Sequence, residues 1–101
     1  MAEVKNMWTL SVGQSWQGLP TFLVRFELGE KVYMVYSQEF EDGMGCVKVK
    51  SHTDNTTVYE GVVKNIEDMA IEGELFEAVK EAINTGYDEW EKEFVGQRKE
   101  K

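Results

Sequence analysis

The chain has 101 residues, 42% of them hydrophobic and 12% aromatic, which supplies the apolar surface for one compact domain and exceeds what an acidic disordered tail carries. Its formal net charge of −8 argues against a phosphate-binding footprint, which depends on clustered lysine and arginine. A single cysteine, Cys46, excludes an intramolecular disulfide or a thiolate metal cluster within one chain.

Residues 7–12 alternate Trp8, Leu10 and Val12 with Met7, Thr9 and Ser11, a period of two that predicts a half-buried strand with Trp8 in the core. Gly13 to Pro20 reads as a loop holding Trp16, whose indole either marks a contact site or folds back as a lid on the sheet edge. Thr21 to Leu28 places Phe22, Val24, Phe26 and Leu28 on one face and is the clearest strand pattern in the chain. Two registers are open for the hairpin to the next strand, 31–37. A two-residue loop at Gly29-Glu30 sets Phe26 opposite Tyr33 and Val24 opposite Val35. A three-residue loop, Glu27-Leu28-Gly29, instead collects Val32, Met34 and Tyr36 on the face of Phe22 and Val24, and is preferred because it gathers more apolar area on one side.

Residues 38–45 form an acidic connection containing Glu39, Glu41 and Asp42. Alternation returns at Cys46, with Val47 and Val49 on one face and Lys48, Lys50 and His52 on the other. A type I′ turn at Asp54-Asn55 leads into a fifth strand, 57–63, with Val47 opposite Val62, Val49 opposite Glu60 and Lys50 opposite Tyr59 on the outer face. Short connections predict an antiparallel meander.

Asn65 stands where it can cap a first turn containing Glu67 and Asp68. The main helix is expected to start near Gly73 or Glu74, because Glu72 would fall on the apolar stripe of a longer one. Phe76, Val79, Ile83, Tyr87, Trp90 and Phe94 then recur at steps of three and four, a stripe suited to lie across a sheet, with Glu74, Glu77, Glu81 and Asp88 on the far side. The weak helix formers Asn84-Thr85-Gly86 leave it evenly open whether the helix is kinked or broken there or runs on without interruption. The fold class is thus α+β: an antiparallel sheet of about five strands packed on one face by a C-terminal helix. Residues 1–97 are expected to form one domain, with 98–101 a frayed basic tail.

The charge is unevenly placed. Residues 1–64 hold eight acids against six bases, whereas 65–97 hold ten against two. Side chains on adjacent turns of one helix face lie roughly 5–6 Å apart at Cβ, so Glu74, Glu77 and Glu81 form a row comparable in spacing with backbone phosphates. The plain alternative is a solvated face.

Catalysis finds little support. The only histidine, His52, has Asp54 two positions away, but both sit at a turn, and no nucleophile motif accompanies them. Cys46 has no visible activator. The loop acids lack calcium-loop spacing, and Gly43-Met44-Gly45 is too short to cradle a phosphate. No cofactor or metal is expected. Polar and acidic residues after Met1 occupy the place of a secretory signal's apolar run, which predicts a cytoplasmic protein and leaves the Asn55-Thr56-Thr57 glycosylation pattern unused.

The expected function is that of a small acidic, non-enzymatic binding protein occupying a basic surface on a protein partner through Glu74, Glu77, Glu81, Asp88 and Trp16, in the manner of phage-encoded nucleic-acid mimics and inhibitors. A second possibility uses Lys48, Lys50, His52 and Tyr59, with Arg25 or Trp16 nearby, to hold single-stranded nucleic acid. Four antiparallel strands followed by a kinked acidic helix resemble, at the level of fold, the whirly-type single-stranded-DNA-binding sheets, which implies nucleic acid on the sheet. An exposed edge strand leaves a homo-oligomer open.

Overall fold

The computed structural model describes residues 3–15, 17–39 and 44–95. Five strands, β1 (Val4–Gln14), β2 (Pro20–Leu28), β3 (Lys31–Glu39), β4 (Gly45–Ser51) and β5 (Thr56–Val63), form one antiparallel sheet in sequential order. A 3-10 turn at Ile66–Asp68 precedes the helix α1 (Gly73–Trp90), which rests on β1, β2 and β3. The α+β meander with its C-terminal helix is the predicted architecture.

Phe22, Val24 and Phe26 of β2 are almost wholly buried against Val35 of β3, Val47 and Val49 of β4, and Val79 and Ile83 of α1. This is the continuous core that a half-covered antiparallel sheet requires. Met69 and Ile71, between the 3-10 turn and α1, join it. Asn65 precedes that 3-10 turn without a side-chain capping bond.

The β2–β3 register corrects the preferred expectation. Leu28 pairs with Lys31, Phe26 with Tyr33 and Val24 with Val35, so the loop is Gly29-Glu30. Gly29 has φ 65° while Glu30 is not left-handed, the pattern of a type II′ turn that follows the strands' twist. This register stacks Tyr33 on Phe26 at 5.5 Å between ring centroids. It also turns Val32, Met34 and Tyr36 to the face away from the helix.

Two further corrections arise from β-bulges, each of which inserts a residue and reverses the facing of the residues beyond it. In β1 the ladder slips between Lys5 and Trp8 and again between Thr9 and Ser11, with Asn6 at φ 54°. Val12 therefore pairs with Phe22 on the core side, whereas Trp8 and Leu10 are 47% and 45% exposed rather than buried. In β5 a slip between Val49 and Lys50 sets Val49 opposite Tyr59, Lys50 opposite Thr57 and Val47 opposite Gly61. Tyr59 packs against the core instead of lying outside, and Val62 is 56% exposed. Cys46, paired with Val62, shares that outer face.

The turn after β4 spans His52–Asn55, with Asn55 alone left-handed at φ 57°, so it is longer than the predicted type I′ turn. Its anchors are specific. Buried Ser51 Oγ donates to Asp54 Oδ2 and accepts from Asp54 N, both at 3.2 Å, and Lys31 Nζ meets Asp54 Oδ2 at 2.7 Å. That lysine holds the Asp54 carboxyl below its ordinary range.

Helix α1 begins at Gly73, with φ 71°, and runs without interruption through Asn84-Thr85-Gly86 to Trp90, where five residues of π-helix follow. Its buried line is Ala78, Val79, Ala82, Ile83 and Gly86. Small residues thus bring the helix axis close to the sheet, and Tyr87 is displaced to the flank, 36% exposed.

Candidate functional site

Because α1 is continuous, steps of three and four from Glu74 through Glu77, Glu81 and Asn84 to Asp88 align these residues along one line of the cylinder. All five are exposed. At 1.5 Å rise per residue the line spans about 21 Å. It lies opposite the buried Val79 and Ile83, so packing on the sheet forces the acids outward.

At Glu77, Glu81 and Asp88 little within the described residues offsets that charge. Lys80 Nζ reaches Glu77 Oε1 at 3.9 Å, while the Glu77 side chain stays 72% exposed. The same ammonium lies 5.3 Å from the centroid of the Phe76 ring, so it leans across the flank of the helix. An exposed pair of this kind contributes about 0–1 kcal/mol and is screened by salt. Lys92 pairs at 3.6 Å with Glu89, which is off the line. No ion pair among the described residues reaches Glu81 or Asp88.

Trp16, the remaining predicted contact residue, lies outside the described residues, as do Glu41 and Asp42. Of its described neighbours, Ser15 N donates to Leu19 O at 2.9 Å and Gly18 N to Ser15 O at 2.8 Å. The other predicted groups are dispersed. His52 and Asp54 share a turn, but the Asp54 carboxylate is taken by Lys31 and Ser51. Among the described residues no three histidine, cysteine or acidic side chains converge as metal ligands.

An open cleft of about 160 Å³ lies beside α1, bordered by Glu39, Val47, Val63, Lys64, Ile83 and Tyr87. It is smaller than the roughly 300–1,000 Å³ of small-molecule sites. At its rim Tyr87 Oη donates a short hydrogen bond to Glu39 Oε1. Partial burial, followed by that carboxylate, raises the phenol well above its usual value of 10.0. A raised folded-state value favours the protonated phenol, so the stabilisation is complete below the unfolded value and is lost as pH climbs past it. Thermal melts from pH 8 to 11 should show an alkaline loss of stability that Tyr87→Phe largely removes; identical profiles would refute the coupling.

Sequence reasoning placed Lys48 and Lys50 on the uncovered face of the sheet but missed its apolar residues. Arg25 lies 4.6 Å from the Trp8 ring centroid, donates to Asn6 O at 3.2 Å, and pairs with Glu27 Oε2 at 2.8 Å. Tyr36 Oη lies 2.9 Å from Gln38 Oε1 and 3.4 Å from Thr21 Oγ1. The three-residue register expected for β2–β3 concealed this face, because it placed Val32, Met34 and Tyr36 in the core. The chain matches no protein-family model, and neither the curated proteins nor the solved structures yield a significant match to it. No helix among the described residues is long and apolar enough to cross a membrane.

Proposed function

We propose that this chain is a non-enzymatic binding protein that occupies a basic surface of a protein partner with the outward face of α1. The observation that supports it is the opposition of two lines on one helix: Val79 and Ile83 buried against the sheet, and Glu74, Glu77, Glu81 and Asp88 exposed behind them. A rigid row of carboxylates offers a basic groove what a nucleic-acid backbone offers it, negative charge repeated along one line. Such a row would inhibit a nucleic-acid-handling protein by occupying its groove, as phage-encoded mimics do. Steering by such a field accelerates encounter and weakens as salt rises.

The alternative, single-stranded nucleic acid across the sheet, has less support. Lys48 and Lys50 do lie on the uncovered face, but Tyr59 turns to the core, and Glu27 and Glu60 stand among the bases. That mixture is not the basic footprint that phosphate binding requires.

Affinity capture from lysate, run in parallel with the wild-type chain and the Glu77→Lys/Glu81→Lys variant, tests the proposal. A basic protein should be retained by the wild type at low salt, released at high salt, and missed by the variant. Equal capture by both chains would reduce the ridge to a solvated helix face.

A further inference from the structure

The face of the sheet opposite α1 carries apolar groups that its own chain leaves open. Trp8, Leu10, Tyr36, Val58 and Val62 are the exposed large side chains of the sheet, from 38% to 56% accessible. Leu10 and Val58 stand at the bulges of the two edge strands. Together with half-buried Leu23 and Met34 between them, they expose on the order of 400 Å², the size of the largest patch on a typical monomer and often a functional one.

This face is also pinned, and its charge is small: Lys5, Arg25, Lys48 and Lys50 stand on it with Glu27 and Glu60. Its largest group, Trp8, lies against the Arg25 guanidinium, whose charge is met by Glu27. Lys48 stands across from Glu60, and Lys50 across from Thr57. Rings already fixed by their neighbours lose little freedom when covered, which is the property of side chains that dominate interfaces.

We infer that a second copy of this chain covers the face, the two sheets stacking to form a helix–sheet–sheet–helix dimer with a twofold axis. Charge selects this occupant. A basic protein would be drawn to the ridge on α1, and a nucleic acid needs more positive charge than four bases set among two acids provide. A face on which four bases exceed the acids by only two meets its own copy with little like-charge repulsion, and salt screens what there is. Stacked sheets about 10 Å apart, each backed by a helix about 10 Å thick, hold the two acidic ridges more than ~30 Å apart, several times the Debye length of about 8 Å. The area suffices as well. Five strands at ~4.8 Å spacing and about seven residues at ~3.4 Å give a face of roughly 550 Å², so two copies bury about 1,100 Å², above the ~1,000 Å² expected of a specific interface.

Sedimentation equilibrium of the full chain from low to high micromolar concentration tests this, at physiological and at high salt, beside Trp8→Glu and Val62→Glu. The expected species has twice the 11.6 kDa chain mass, persists at high salt, and is weakened by about 30-fold in each variant. Both substituted positions are exposed, so the variants should keep the wild-type circular dichroism. A wild-type monomer at every concentration would overturn the inference. So would a dimer indifferent to both substitutions, or one dissolved by salt. A labelled oligothymidylate held through Lys48 and Lys50 would overturn it in favour of a nucleic-acid occupant.

Discussion

Replacing Gly86 by alanine is expected to destabilise the protein by about 2 kcal/mol, although alanine is the better helix former by about 1 kcal/mol. A Cβ at this position would lie 2.6 Å from Cγ of Phe22 and closer still to Cδ1 and Cε1 of the same ring. Neither side can easily yield. Phe22 is 2% exposed and has the Tyr87 ring edge-on at 5.5 Å, so the helix would have to lift off β2 and open the core it seals. For a domain of this size the midpoint of thermal unfolding should fall by roughly 8–16 °C. Adding Phe22→Leu should recover part of the loss, because the shorter side chain removes the clashing ring atoms, and the two changes should be far from additive. A variant that melts at or above the wild-type temperature would mean that the helix does not approach the sheet this closely.

If α1 occupies a basic surface as proposed, reversing Glu77 and Glu81 to lysine is expected to slow association with that partner by on the order of 100-fold at low salt, while the melting temperature stays within a few degrees of wild type. Both residues are exposed, and surface changes away from caps and networks usually alter stability by less than about 0.5 kcal/mol. The Lys80–Glu77 contact at 3.9 Å is the one pair that the change removes. Raising salt should slow the wild type toward the variant's rate, since screening suppresses the same field that the substitutions invert. Association rates that respond to salt but not to the substitutions would place the steering charge elsewhere on the chain.

The two substitutions probe opposite sides of one helix, and that helix is legible in the sequence. Apolar residues at steps of three and four with acids between them admit one arrangement against a sheet, so Glu74, Glu77, Glu81 and Asp88 emerge on the outside from pattern alone. The helix start is equally readable, because Glu72 is incompatible with the stripe and Gly73 accepts the φ of 71° found there. The role of Gly86 is not. As a weak helix former it signals a break, and only the approach of Phe22, 64 positions earlier in sequence, turns it into a requirement of packing.

Local alternation, short connections and the segregation of acids therefore determined the element types, their antiparallel order and the charged face of α1, since each depends on residues a few positions apart. Tertiary structure alone decided which strand residues look inward. A strand pattern is invariant to the insertion of one residue at a bulge, yet each insertion exchanges its two faces. The bulges beside Trp8, at Leu10 and at Val58, together with the two-residue turn at Gly29, bring Val12, Val35 and Tyr59 to the side on which β2 presents Phe22, Val24 and Phe26 to the helix. That long-range arrangement, absent from any short window of sequence, is what moved Tyr59 into the core and left Trp8, Tyr36 and Val62 on the open side of the sheet.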